Sequence, residues 1–135
     1  MQAGGFPAQD LLRYILICLL MGGATEALAA VLGLWRYRSP ALLINNIVVV
    51  FGLAFGGMLW LLQGQGIALQ FAAGALFGLA YEAANFAFLN GWSFPGDRLW
   101  LLRGRRALTI GVGLAWGFIL PVAALLNQLS RGLIA

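Results

Sequence analysis

The chain reads as an all-α integral membrane protein: four transmembrane helices arranged as two similar helical hairpins, with a short interfacial amphipathic segment before the fourth. Three observations predict this. The first is composition: of 135 residues, 62% are hydrophobic and 9% charged, and the mean hydropathy is +0.92. A soluble domain carries roughly a quarter charged residues, so this chain lacks the polar surface to cover a water-soluble globule. The second is segmentation, because the apolar residues fall into four stretches at about 11–34, 41–63, 66–90 and 107–129. Each approaches or exceeds the ~20 residues a helix needs to cross ~30 Å of hydrocarbon. The third is a weak internal repeat, with 11–63 resembling 66–129. The whole chain, 1–135, is read as one transmembrane domain.

The first stretch is too long for a cleaved signal peptide and has no basic flank before its apolar run, so it is expected to be permanent. Its Cys18, the single cysteine, reads as a small buried hydrophobe. "RYRSP" follows, with Arg36 and Arg38. The second stretch begins with Asn45 and Asn46 near that loop and carries Gly52 and Gly56 one turn apart. An uncharged "QGQG" turn leads to the third, which holds Gly74, Gly78, Tyr81, Glu82 and Asn85. The third loop, "NGWSFPGDRLWLLRGRR", predicts a short interfacial helix: Leu99, Trp100 and Leu102 dip toward lipid while Arg98, Arg103, Arg105 and Arg106 meet headgroups or an acidic partner. The fourth stretch carries Gly113 and Gly117, and Pro121, which frees a carbonyl and kinks the helix.

The repeat aligns Gly22, Ala24, Glu26 and Ala27 with Gly78, Ala80, Glu82 and Ala83, and "GLAFG" (52–56) with "GLAWG" (113–117). A Trp and then a Pro follow in each half, Trp35 and Pro40, then Trp92 and Pro95. Two hairpins of one orientation imply a parallel repeat about an axis near the membrane normal. The paired glycines Gly52/Gly56 and Gly113/Gly117 give flat faces for close helix packing.

Charge placement orients the bundle. Six arginines lie in the first and third loops against Arg13 and Arg131 at the other end. That bias puts those loops in the cytoplasm and both termini outside, with a bacterial inner membrane as the expected location. Trp35, Trp92 and Trp100 then read as interfacial anchors. All eight basic residues are arginine, and histidine is absent. The missing imidazoles exclude the usual haem, zinc and His-based catalytic sites. Arginines confined to membrane edges exclude a nucleic-acid reading of the basic pI.

Glu26 and Glu82 are the residues that need explaining. Each lies about four residues beyond the middle of its stretch, so ~6 Å toward the first and third loops at 1.5 Å per residue. A carboxyl at that depth costs about 2.5–3.5 kcal/mol on insertion scales. With no arginine inside the spans, a protonated or cation-binding carboxyl facing the bundle interior is expected. Asn85 shares a face with Glu82, Tyr81 precedes it, and Asn45 and Asn46 approach the depth of Glu26. Glu26, Glu82, Asn85, Tyr81, Asn45 and Asn46 are therefore the expected ligand or proton site, with no metal site or catalytic set beside them. Three functions follow. One is a small, oligomeric membrane protein that binds or carries a proton, cation or amphipathic ligand. Another is an accessory subunit of a larger membrane complex, its glutamates meeting a neighbour or a bound lipid, quinone or pigment. The third is an intramembrane acid–base enzyme acting on a lipid or isoprenoid. No cofactor is expected under the first; lipids and a second copy or a larger complex are the expected partners.

Overall fold

The computed structural model describes residues 7–134. Four helices in it are long and apolar enough to cross a membrane: α1 (Ala8–Leu32), α2 (Pro40–Leu61), α3 (Ile67–Leu89) and α4 (Arg105–Leu133). Local chemistry sets their ends. Gly33, at φ 64°, stops α1 in the left-handed conformation. The Gly33 and Leu34 amides then donate back to Ala30 and Ala29, so two terminal carbonyls are satisfied without a side chain. Ser39 caps α2 by accepting from the Leu42 amide at 3.4 Å, with Pro40 in the first turn where its missing N–H costs nothing.

Three of the four helices depart locally from regular α winding. α2 is wound as a π-helix over Asn46–Phe55, and α3 over its last turn, Asn85–Leu89. α4 tightens to a 3₁₀ turn at Trp116–Phe118. The proline responsible is Pro121, which has no N–H to give the Gly117 carbonyl, so the regular ladder fails just before it.

The first and third connections meet. β1 (Arg36–Tyr37) pairs antiparallel with β2 (Trp92–Ser93), in the register Arg36↔Ser93 and Tyr37↔Trp92. The Arg38 amide extends the pairing to the Gly91 carbonyl at 2.8 Å. β3 (Arg98–Leu99) and β4 (Leu102–Arg103) form a second hairpin. The short interfacial helix expected in this loop is therefore not formed. A turn at Pro95–Asp97, with Gly96 at φ 67°, breaks the chain ahead of the hairpin, and Trp100 at its tip sits at φ 51°. Leu99 and Leu102 do not dip outward either: they pack with Phe94 and Leu108 under the loops. Trp100 and Leu101 project instead, 76% and 96% exposed.

The main core lies between the helices, around Cys18, Phe55, Leu59, Leu120 and Ala123. Small residues let the helices touch. A Cβ placed on Gly56 would lie 2.7 Å from the Ile15 Cα, and one on Gly113 2.8 Å from the Leu79 Cα. Outward faces carry Leu12, Leu20, Leu28 and Val31, all more than half exposed, as a lipid-facing surface requires. At the end away from the loops, Arg13 donates to Asn127 Oδ1 at 2.7 Å and to Ser130, and Arg131 pairs with Asp10 at 3.0 Å. These contacts tie the first helix to the last.

Candidate functional site

Glu26 projects from the last third of α1 and is 6% exposed. Its Oε1 accepts from the Tyr37 hydroxyl at 2.6 Å and from Asn46 Nδ2 at 2.8 Å, and its Oε2 accepts from Trp35 Nε1 at 2.9 Å. Asn46 Nδ2 also donates to the Tyr37 hydroxyl at 2.8 Å, and the Asn46 carbonyl oxygen accepts from Tyr81 at 3.0 Å. One carboxyl therefore draws together α1, β1, α2 and, through Tyr81, α3. Every partner of Glu26 offers a hydrogen, and Tyr37 already accepts from Asn46. Such a set complements a carboxylate rather than a carboxylic acid.

Glu82 is 2% exposed and more loosely held. Its Oε2 accepts from Trp92 Nε1 and its Oε1 from Trp116 Nε1, both at 3.2 Å. Trp92 arrives from β2, and Trp116 from the 3₁₀ turn of α4. The loss of regular winding before Pro121 thus bears on the site, because it carries the residue that reaches Glu82. Trp116 is also stacked at 5.4 Å on Phe55 and lies 5.3 Å from Phe51 and 5.4 Å from Tyr81. Tyr81 in turn lies 4.7 Å from Trp92. The indoles are fixed by ring contacts on several sides.

The two carboxyls line one cavity of about 490 Å³, walled by Trp35, Tyr37, Trp92 and Trp116 and by apolar side chains such as Phe51 and Val112. The hairpin residues Leu99, Trp100 and Leu102 close one side. A second groove, of about 520 Å³, flanks Glu26 on its other side and is edged by Arg36, Arg38 and Ser39. Glu26, Trp35 and Tyr37 border both spaces. Tyr37 lies in the loop layer, where burial, the hydrogen bond to Glu26 and the neighbouring negative charge push its phenol well above the usual range. It remains a donor at any ordinary pH.

Of the residues singled out in the sequence, Glu26, Glu82, Tyr81 and Asn46 come together in one network. Asn45 does not join it, being exposed on α2. Asn85 is buried beside Glu82 but serves the backbone: its Oδ1 accepts from the Gly91 and Trp92 amides at 2.8 and 3.2 Å, and its Nδ2 donates to the Trp92 carbonyl at 2.9 Å. Asn85 thereby holds the loop that presents Trp92. Arg98, Trp100, Arg103, Arg105 and Arg106 stay exposed on the loop layer, with Arg105 5.8 Å above the Phe86 ring.

The reading of Trp35 and Trp92 as interfacial anchors is corrected: their indole N–H groups point inward, onto the glutamates. A signal for this lay in the repeat itself, which places a Trp nine residues after Glu26 and ten after Glu82. Tyr37 and Trp116 were missed altogether, since neither spacing nor composition marks them. Among the described residues no cluster of metal-ligating side chains occurs. No family model, curated protein or solved structure matches the chain.

Proposed function

We propose that the chain is a membrane binding or carrier protein whose interior cavity takes up an amphipathic ligand, with the glutamate pair receiving the ligand's polar head. One observation carries this reading: both buried carboxyls, from different helices, border a single cavity of about 490 Å³ whose other walls are aromatic and aliphatic. That volume lies in the ~300–1,000 Å³ range of small-molecule sites, and convergent polar groups in an apolar chamber are what such sites share. A purely structural role accounts for it poorly. Interhelical hydrogen bonds in membranes return about 0.6 kcal/mol on average, against insertion costs several times larger.

A two-fold relation between the halves fits the same site. In each half, the Trp after the helix donates back to that helix's glutamate. The antiparallel β1–β2 pairing, Arg36↔Ser93 with Tyr37↔Trp92, joins the equivalent loops of the two halves, as an axis running between them would require. Gly56 against Ile15 has its counterpart in Gly117 against Phe71. In this reading two parallel hairpins, 11–63 and 66–129, build a shared central site in a bacterial inner membrane, with the paired loops cytoplasmic. A second copy would then supply the remaining wall of a solute path.

The test is tryptophan fluorescence of the purified protein in nanodiscs, titrated with two near-isosteric amphipathic ions, tetraphenylphosphonium and tetraphenylborate. Saturable quenching by at least one is expected, weakened about tenfold or more in the Glu26→Gln/Glu82→Gln double variant. Quenching that never saturates, or that the double variant leaves unchanged, would count against a carboxyl-lined binding site.

A further inference from the structure

The two glutamates share a cavity but not a bonding state, and the difference assigns them different work. Glu26 accepts three hydrogen bonds of 2.6–2.9 Å, from Tyr37, Asn46 and Trp35. Both its oxygens are engaged, and the donors come from β1, α2 and the connection between α1 and β1. Glu82 accepts two bonds of 3.2 Å, each from an indole. That leaves lone pairs on both of its oxygens unused, since a carboxylate accepts about four hydrogens. The Glu82 donors also line the chamber: Trp92 and Trp116 both border the cavity, and Tyr37 lies 6.0 Å from Trp92. A carboxylate with spare lone pairs in a chamber lined by tryptophan and tyrosine rings matches an organic cation, which the charge holds and aromatic side chains accommodate.

The electrostatics favour the same occupant. The titratable groups around Glu82 are Glu26 across the cavity, Tyr37 on β1 and Tyr81 on its own helix, all within electrostatic reach of one another. The packed helix α4 begins with Arg105 and Arg106; both are exposed, and the first lies over the Phe86 ring. Among the described residues the salt bridge is Arg131–Asp10, at the far end. Negative charge in the chamber is therefore met by dipoles and not by a cation of the protein.

Resting on the amphipathic-ligand reading, we propose that Glu82 is the exchangeable carboxylate of the site, binding the head of an amphipathic organic cation in competition with a proton, while Glu26 is a fixed positioning residue. The cation enters with its apolar part against Phe51, Val112 and the hairpin leucines, and its head between Trp92 and Trp116. Lowering the pH places a proton on Glu82 and releases the cation; raising it restores the charge. Glu26 keeps its three donors throughout and holds Tyr37 and the β1–β2 layer over the chamber.

The proposal is tested with the same two probes in nanodiscs, across pH, on wild type, Glu82→Gln, Glu82→Asp and Glu26→Gln, each first checked for folding by thermal melt. Expected are saturable phosphonium binding that weakens as pH falls, and a preference for phosphonium over borate. Glu82→Gln should lose about tenfold or more in phosphonium affinity together with the pH dependence, and Glu82→Asp should recover both in part. Glu26→Gln should lower the melting temperature more than Glu82→Gln and keep the pH dependence. A ligand-free arm is infrared difference spectroscopy on a pH step. The band of a protonated carboxyl should vanish in Glu82→Gln and persist in Glu26→Gln, or in Trp35→Phe if Glu26→Gln does not fold. A band that vanishes with Glu26 and survives loss of Glu82 overturns the assignment. Saturable binding that prefers borate overturns the cation proposal alone, and saturable binding of neither ion overturns the underlying site as well.

Discussion

Tyr37 shows what single residues contribute here. Its hydroxyl donates to Glu26 at 2.6 Å and accepts from Asn46 at 2.8 Å, so one oxygen joins the loop layer to two helices. Tyr37→Phe removes both bonds and leaves Asn46 Nδ2 with Glu26 as its one acceptor, while Asn46 Oδ1 keeps the Tyr81 hydroxyl. The expected cost is about 1.5–3 kcal/mol, the usual worth of a hydrogen bond to a charged group, read as a lower melting temperature. Its pH dependence has a definite sign. Burial and the neighbouring carboxylate raise the phenol in the folded state, so the stabilisation is complete below the ordinary tyrosine value near 10 and is lost only as pH climbs above it. The difference in melting temperature between wild type and Tyr37→Phe should therefore be flat from neutral pH to about 10 and shrink beyond it. A difference that already shrank between pH 6 and 8 would show that some other group controls the network.

Elements explain how much of this was legible. Four helices followed directly from the apolar runs, because length and hydropathy are themselves the physical requirement for spanning. Glu26 and Glu82 stood out because a deep carboxyl is costly wherever it points. What surrounds them was hidden, for three separate reasons. Tyr37 is held over Glu26 in the β1–β2 pairing, a contact between loops more than fifty residues apart. Trp116 reaches Glu82 because α4 narrows to a 3₁₀ turn, a consequence of Pro121 that a uniform helical wheel does not show. The third loop alternates leucine and arginine as an interfacial helix does, yet Pro95, Gly96 and Gly104 turn it into a hairpin. Helix contacts also yield a sharp comparison. A Cβ on Gly78 would collide with the Trp116 side chain and the Gly113 carbonyl, whereas one on Gly23 meets nothing within 4 Å. Gly78→Ala should thus push α3 from α4, cost about 1–3 kcal/mol and weaken the Trp116–Glu82 contact. Gly23→Ala should melt no lower than wild type, and equal losses in both variants would refute the close packing of α3 on α4.

At the scale of the whole molecule, the two ends of the bundle differ in what their arginines do. At the far end Arg13 is spent on Asn127 and Ser130, and Arg131 on Asp10. The loop layer instead exposes Arg36, Arg38, Arg98, Arg103, Arg105 and Arg106, free to meet anionic lipid. Orientation in a membrane follows the count of basic residues flanking the spans, and that count is six against two. The expected outcome is that alkaline phosphatase fused to the C-terminus is active, while a reporter that works only in the cytoplasm is silent there. The bias can also be titrated. Replacing Arg103, Arg105 and Arg106 by Gln leaves three arginines at the loop end against two, so the same fusions should then report a mixture of orientations. The β1–β2 pairing and the glutamate network do not involve those three side chains. Melting temperature and phosphonium binding of the correctly inserted fraction should therefore match wild type, which separates a change of orientation from a failure to fold. An inactive C-terminal phosphatase on the unaltered chain would invert the assignment, placing the arginine-rich layer outside and the groove edged by Arg36 and Arg38 on the opposite side of the membrane.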